Sequence, residues 1–153
     1  LLPNGCVLVT EGGQHFSSGG IGKASNLNSA ELYDSETGTW SPATSLNITR
    51  GAPRANLLTN NQVLVTGGGD AELYNPSTNT WTFTDSPAIN RFGHTATLLP
   101  DTRVLIAGGR KTTGNQLTSA ELYGEPVTMS KIGFPWLILQ PALNYNANTS
   151  HKQ

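Results

Sequence analysis

The sequence predicts an all-β fold made of about three repeated units, each with four short antiparallel strands. The opening string "LLPNGCVLVTEGG" returns as "LLTNNQVLVTGGG" from Leu57 and as "LLPDTRVLIAGGR" from Leu98. Self-similarity of this kind is typical of one supersecondary unit repeated in series. Inside each unit the apolar runs, such as "QVLVTG", "AELY" and "TWTF", are short and rich in β-branched or aromatic residues. This composition favours strands over helices.

The repeat has a period of about 41 residues. Four pairs of residues recur at that spacing: Leu57 and Leu98, Ala30 and Ala71, Trp40 and Trp81, and Arg50 and Arg91. The unit length varies at one place, where "QHFSSGGIGKASNLN" is inserted in the first unit and "RKTTGNQLT" in the third. Variation confined to one point per unit indicates loops on one face of an array. Four strands per unit in series predict the blades of a β-propeller.

The turns within the units contain residue types that favour tight turns. Asn4-Gly5, Asn60-Asn61 and Asp101-Thr102 stand at equivalent positions between two strands. The first two of these pairs predict tight hairpins that need a positive φ. Gly38 and Asn79, in "YDSETGTW" and "YNPSTNTW", are the residue types that best tolerate the left-handed region.

The units share an order of residues that resembles the kelch repeat. A glycine pair follows a "VLVT" strand, a tyrosine comes next, a tryptophan stands seven residues after the tyrosine, and an arginine precedes the next unit. The first unit departs from it, because Glu11 replaces the first glycine of the pair. The resemblance implies a kelch-type β-propeller whose ring is incomplete, since propellers usually have four to eight blades. The residues that carry the repeat are Gly12, Gly13, Glu31, Tyr33, Trp40, Arg50, Gly67, Gly68, Glu72, Tyr74, Trp81, Arg91, Gly108, Gly109, Glu121 and Tyr123.

The repeats are predicted to cover residues 1–124. The first blade spans about 1–49 and lacks its first strand, the second spans about 50–90, and the third spans about 91–124. Residues 125–153 leave the repeat pattern and either supply an edge strand or cap, or are foreign to the domain. The start at Leu1, without a methionine, suggests a segment of a longer polypeptide.

Structural roles are predicted for the repeated charged and aromatic residues. Glu31, Glu72 and Glu121 recur in "AELY", a strand that neighbouring blades should cover. A buried carboxylate needs a partner, so interblade ion pairs with the recurring arginines are expected. Trp40 and Trp81 are expected to pack between blades; the alternative is an exposed aromatic platform for a sugar.

The sequence predicts no catalytic, metal or cofactor site, and therefore not an enzyme. "SSGGIGKAS" does not meet the phosphate-loop pattern, and His15, His94 and His151 have no ligand spacing. Copper radical oxidases also carry kelch blades, and in that family a cross-linked tyrosine follows an Arg-Gly pair at a blade start. Ala52 and Gly93 stand at that place here.

The composition limits the classes of partner that are expected. Charged residues make up 12% of the chain and the net charge is −1, so nucleic acid is not an expected partner. The apolar run "IGFPWLILQPAL" is too short to span a bilayer and is broken by prolines, so no membrane anchor is expected. The triplets at Asn47 and Asn148 fit N-glycosylation and favour a secreted protein, although the compartment stays open.

The kelch resemblance implies a non-catalytic interaction module that contacts a protein or a carbohydrate through loops on one face. The alternative is the non-catalytic part of a copper radical oxidase-like enzyme whose active site lies outside this chain. A homodimer that closes a six-bladed ring is a further expectation. The candidate ligand-facing residues are His15, Lys23, Arg54, Phe92, His94, Arg110, Lys111 and Asn115.

Overall fold

The computed structural model describes residues 1–10 and 27–124. These residues form ten strands and no helix, which confirms the predicted all-β class. In chain order the strands are β1 (Cys6–Thr10), β2 (Ala30–Asp34), β3 (Thr39–Pro42), β4 (Arg54–Leu57), β5 (Val63–Thr66), β6 (Glu72–Asn75), β7 (Thr80–Phe83), β8 (Thr95–Leu98), β9 (Val104–Ala107) and β10 (Ala120–Tyr123). In these two ranges no helix could serve as a membrane span.

The strands form three antiparallel sheets in which chain neighbours pair. The first sheet has the order β1-β2-β3, the second β4-β5-β6-β7 and the third β8-β9-β10. The second sheet is thus a complete four-stranded blade, whereas the described residues give the other two sheets three strands each. The predicted tail at 125–153 lies outside the described residues, so its proposed role as edge strand or cap stays a prediction.

The sheets stack face to face in series, and β5 demonstrates this most directly. All four of its residues are buried, although a strand with one solvated face would alternate. Val63 and Val65 pack in a cluster with Leu2, Ala30 and Trp81, between the first and second sheets. Leu64, on the opposite face of β5, packs with Val104 and Ile106 of the third sheet. One strand therefore contributes to two interfaces, as a blade inside a propeller does.

The three hairpin turns that precede β1, β5 and β9 share one hydrogen-bonding pattern. In the third of them, the Thr102 amide donates to the Leu99 carbonyl oxygen at 3.0 Å, and the Arg103 amide donates to Asp101 Oδ1 at 3.2 Å. The predicted positive φ is confirmed at Gly5 (85°) and Asn61 (66°). Thr102 adopts the same conformation (71°) although it is β-branched, because the turn's hydrogen bonds require it.

The predicted left-handed residues of the later turns are confirmed as well. Gly38 has a φ of 69° and Asn79 has a φ of 53°. Both turns begin at a side-chain cap, in which the Asp34 carboxylate accepts from the Glu36 amide and the Asn75 side chain accepts from the Ser77 amide. The equivalent residues thus adopt the same left-handed backbone conformation in both units.

The two repeated tryptophans differ in environment. Trp81 is buried, its indole N–H donates to the Thr44 carbonyl oxygen of the preceding unit at 2.8 Å, and its ring lies 4.9 Å from that of Tyr74. Trp40 keeps the ring contact with Tyr33 at 5.0 Å but is 57% exposed. The expectation of interblade packing is therefore confirmed for Trp81 and wrong for Trp40, because no sheet among the described residues covers its outer side.

Candidate binding face

The segments that enter the second and third sheets lie against the loops that follow the glycine pairs. The Gly68 amide donates to the Arg91 carbonyl oxygen at 3.2 Å, and Phe92 and Arg110 exchange two backbone hydrogen bonds of 2.9 and 3.0 Å. We call this surface the loop face and define it by the entry segments 50–54 and 91–95 with the loops 67–70 and 108–119. Because the strands are antiparallel, the hairpin turns lie at the opposite strand ends.

Arg50 fixes both ends of the shorter loop. Its guanidinium donates to the carbonyl oxygens of Gly67, at 3.1 Å, and of Asp70. It also pairs with Glu72 at 2.6 Å, and the side chains of both partners are fully buried. The second oxygen of Glu72 accepts from the Asn47 amide at 2.8 Å and from its side-chain amide at 2.7 Å. The carboxylate thereby ties the linker between two sheets to the second sheet.

Arg91 repeats this arrangement around a longer loop. It donates to the carbonyl oxygens of Gly108, at 3.0 Å, and Ser119, at 2.8 Å, and pairs with Glu121 at 2.7 Å. The other oxygen of Glu121 accepts from the Ala88 amide at 2.6 Å. The separation from arginine to glutamate is 30 residues here and 22 in the second sheet. The anchor is thus independent of loop length.

The expectation of interblade ion pairs needs two corrections. The pairs of Arg50 and of Arg91 each join a linker to the sheet that follows it, so the two partners belong to one unit. Glu31 is exposed and forms no ion pair with another described residue.

Opposing effects act on the Glu121 carboxyl. Burial raises its pKa, but the hydrogen bonds from Arg91 and the Ala88 amide, together with the positive charge of Arg91, outweigh burial. The net result is a pKa below the ordinary 4.5. Glu121 therefore stays ionised at neutral pH and keeps the longer loop anchored.

His94 is buried between the second and third sheets, with 1% of its surface exposed. Its Nε2 shares a 2.9 Å hydrogen bond with Thr66 Oγ1, and its Nδ1 has no partner among the described residues. A Cβ on Gly67 would lie 2.6 Å from His94 Cε1, so only glycine fits opposite the ring. The expectation that His94 faces a ligand is wrong, because the adjoining glycine loop closes over it.

The comparisons with known proteins agree with the geometry. Residues 12–47 match the model of the kelch motif. The chain contains a kelch motif. A search of curated proteins finds no match for the sequence. The all-β blades, the Tyr–Trp pairs and the glycine loops are therefore those of a partial kelch propeller.

A solved structure with a similar fold is described as a novel fungal alcohol oxidase of the AA5 family in complex with copper. It aligns with a TM-score of 0.59 and 20% sequence identity, over 80% of this chain and 27% of that one. The chain thus spans about a quarter of that protein's length. At this identity the likeness concerns the fold alone. In the described ranges of the kelch chain, no group of three or more His, Cys, Asp or Glu residues could hold a metal ion.

The remaining ligand-facing candidates are distributed unevenly. Phe92 is half-buried and bridges to Arg110 through its backbone. Two ligand-facing candidates, His15 and Lys23, lie outside the described residues. The same holds for the repeat glycines Gly12 and Gly13. The loop face brings together four exposed polar candidates, and these are Arg54, Arg110, Lys111 and Asn115. The tip of the longer kelch loop is ordered by a turn in which the Lys111 amide donates to the Asn115 carbonyl oxygen at 2.9 Å.

Sequence reasoning missed Thr66, Asp70 and Ser119 as partners of the buried groups. Asp70 acts through its backbone carbonyl oxygen, which any residue type supplies, so the sequence held no signal for it. Ser119 accepts from Arg91 through both its carbonyl oxygen and its hydroxyl oxygen, at 2.8 and 2.9 Å. Thr66 forms a hydrogen bond with His94. The counterpart of His94 in the second blade is Pro53, so this contact does not recur.

The buried histidine predicts an acid-sensitive blade interface. Burial lowers the pKa of His94, and the nearby charges of Arg54 and Arg91 lower it further. The unfolded chain therefore binds a proton more readily, and the free energy of unfolding should decrease as the pH falls below the ordinary 6.5 toward the folded-state pKa. Urea denaturation at a series of pH values measures this slope.

His94→Gln is the matched variant, because its amide can keep the bond to Thr66 without titrating. We expect this variant to lose the slope just below pH 6.5, while the fall at lower pH that comes from Glu121 remains. An unchanged slope in the variant would contradict the prediction.

Proposed function

We propose that this chain is a non-catalytic kelch module that binds a protein or a carbohydrate through its loop face. The supporting observation is that one buried arginine holds both ends of each of the two post-glycine loops among the described residues, although the loops differ in length. Rigid strands that carry loops of different length are a common way to position binding residues. The fixed ends restrict the loops before a ligand arrives, which lowers the ordering cost of binding.

The exposed side chains suggest the chemistry of the ligand. Arg54 and Lys111 present positive charge, and Asn115 adds an amide that can donate and accept. The guanidinium and ammonium groups bind carboxylates through charge-assisted hydrogen bonds. We therefore expect a ligand with carboxylates, such as an acidic peptide or a uronic-acid oligosaccharide.

The test is a binding screen against arrayed acidic peptides and uronic-acid oligosaccharides, followed by titration of the strongest probe. Lys111→Ala should weaken binding about tenfold or more, because it removes a charge from the contact surface. Arg103→Ala is the matched control: it removes the same charge at a hairpin turn, at the opposite ends of the strands. Equal effects of the two variants, or no binding to either class of probe, would refute the proposal.

A second candidate follows from the fold of the copper-containing alcohol oxidase. The chain would then supply non-catalytic blades to a larger carbohydrate-active enzyme whose active site lies elsewhere. Copper-dependent oxidation of simple sugars or aldehydes by a longer polypeptide that contains this chain would favour this candidate. Loop-face binding without such oxidation would favour the interaction module.

We also propose a homodimer that closes a six-bladed ring. Its support is the exposed outer side of the first sheet, where all four residues of β3 are accessible and Trp40 lacks the cover that Trp81 has. Light scattering over a range of concentrations should then give the mass of two chains, and Trp40→Ser should give one. A single-chain mass throughout would rule out this assembly.

A further inference from the structure

The buried His94 lies against both loops of the loop face. Its ring contacts the shorter loop, because a Cβ on Gly67 would lie 2.6 Å from His94 Cε1 and 3.2 Å from its Nδ1. Its backbone nitrogen and its Cβ contact the longer loop, because a Cβ on Gly109 would lie 3.0 Å from each of them. One buried imidazole therefore supports both loops of the proposed binding surface.

A short series of contacts joins this imidazole to Arg54, an exposed cation of the loop face. Arg54 stands opposite Thr66 in the pairing of β4 with β5. The Thr66 hydroxyl group shares a 2.9 Å hydrogen bond with Nε2 of His94. The Arg54 guanidinium donates to the Pro53 carbonyl oxygen at 3.0 Å, which ties it to the entry segment. The exposed cation and the buried imidazole are thus both neighbours of Thr66.

The charged groups of the described residues around the imidazole carry an excess of positive charge. Two ion pairs in the surrounding elements are each neutral as a pair, Arg50 with Glu72 and Arg91 with Glu121. Segment 86–90, which lines a small cavity beside the imidazole, contains no charged residue. The other charged residues of the loop face are three positive and one negative, and these are Arg54, Arg110, Lys111 and Asp70.

This positive excess opposes a charge on the imidazole. Burial lowers the pKa of His94, and the charges of Arg54 and then Arg91 lower it further. The Arg91 carbonyl oxygen acts in the other direction, but its effect is smaller than that of either positive charge. A carboxylate that binds Arg54 would compensate the stronger of these two charges. The imidazole would then accept a proton more readily.

We propose that His94 couples ligand binding at the loop face to the uptake of a proton, so that a carboxylate-bearing ligand binds more tightly when the imidazole is charged. Such coupling is reciprocal: a ligand that favours the proton is favoured by it to the same extent. The step moves one proton from solvent to the imidazole and breaks no covalent bond. The inference rests on the loop-face function proposed above and adds its regulation by acid.

The first test needs no ligand. Proton NMR of the ring C–H groups gives the pKa of each histidine, and the resonance that is absent from His94→Gln identifies His94. Arg54→Gln should raise the pKa of His94, because it removes the nearest exposed positive charge. Arg103→Gln is the matched control, since it removes the same charge at a hairpin turn, at the opposite ends of the strands. An unchanged pKa in Arg54→Gln would overturn the inference.

The second test uses a peptide of six aspartates with a rhodamine label, titrated by fluorescence anisotropy. The pH is varied from about 7.5 to about 5, where aspartate stays largely ionised, and circular dichroism confirms that the full chain is folded at each value. Affinity should rise about threefold toward the acid end, because the charged imidazole adds to the attraction. His94→Gln should abolish most of this rise, since its amide does not titrate.

The outcomes separate this inference from the function on which it rests. A rise in affinity that is lost in His94→Gln supports the coupling. Binding with the same pH dependence in both chains overturns the coupling and leaves loop-face binding intact. Absence of binding at every pH, up to about 1 mM, refutes the binding of acidic peptides at the loop face and the coupling together.

Discussion

Replacement of Arg50 by leucine is expected to lower the free energy of unfolding by about 3–5 kcal/mol, because it leaves the Glu72 carboxylate buried without its partner. Both side chains are fully buried. The same change removes the donors to the Gly67 and Asp70 carbonyl oxygens and so releases the ends of the loop. Urea denaturation followed by circular dichroism measures the loss.

Arg103→Leu is the control for this variant. Its ion pair with Asp101 has the same 2.6 Å separation, but the two side chains are 28% and 37% exposed. Exposed pairs contribute about 0–1 kcal/mol, so little loss is expected. The double variant Arg50→Leu with Glu72→Leu should recover part of the stability, since it removes the uncompensated charge. Similar losses for Arg50→Leu and Arg103→Leu would contradict the role assigned to the buried pair.

Gly68→Ala is expected to destabilise the fold by about 2–5 kcal/mol, because it adds a steric conflict to an unfavourable backbone conformation. Gly68 has a φ of +72°, and a Cβ there would lie 2.7 Å from the Gly51 nitrogen and 3.0 Å from its oxygen. Both atoms belong to the backbone of the entry segment, so they cannot move aside as a flexible side chain would.

Gly38→Ala separates the two contributions. Gly38 has nearly the same φ, +69°, and nothing lies within 4 Å of the position of its Cβ. This variant should lose only the conformational part, about 1–2 kcal/mol. The difference between the two variants in one urea series then measures how closely the glycine loop and the entry segment pack. Equal losses would show that backbone conformation alone explains the choice of glycine at both places.

Much of the fold could be predicted from the sequence because its determinants recur. The Tyr–Trp spacing, the glycine pairs and the Asn or Asp of each hairpin turn specify local geometry, and repetition distinguishes them from chance. Arg50 and Glu72 were recognisable as structural because a charge repeated within predicted buried strands needs a partner. Their pairing within one unit followed from the path of the linker, which local patterns do not encode.

The exposure of a side chain was harder to predict than its place in the repeat. Trp40 and Trp81 occupy the same position in the repeat, yet one is exposed and the other buried. Their difference depends on which sheet lies next to each, not on the residues around them in sequence. The prediction that His94 faces a ligand was wrong for the opposite reason. A histidine occurs at this place in one unit only, with Pro53 as its counterpart, and its burial depends on how closely the Gly67 loop approaches.

The arrangement around Arg91 has a consequence for protein engineering. The guanidinium holds the carbonyl oxygens of Gly108 and Ser119, and neither bond involves the side chains of the intervening residues. Gly109 must stay, because a Cβ there would lie 2.7 Å from the Phe92 carbonyl oxygen. The tip beyond the bridge between Arg110 and Gln116 can be exchanged for a foreign sequence, provided that its ends reach the same two points. The chain offers a natural insertion point for display of grafted peptides, and evolution could vary the same segment without remodelling the strands beneath it.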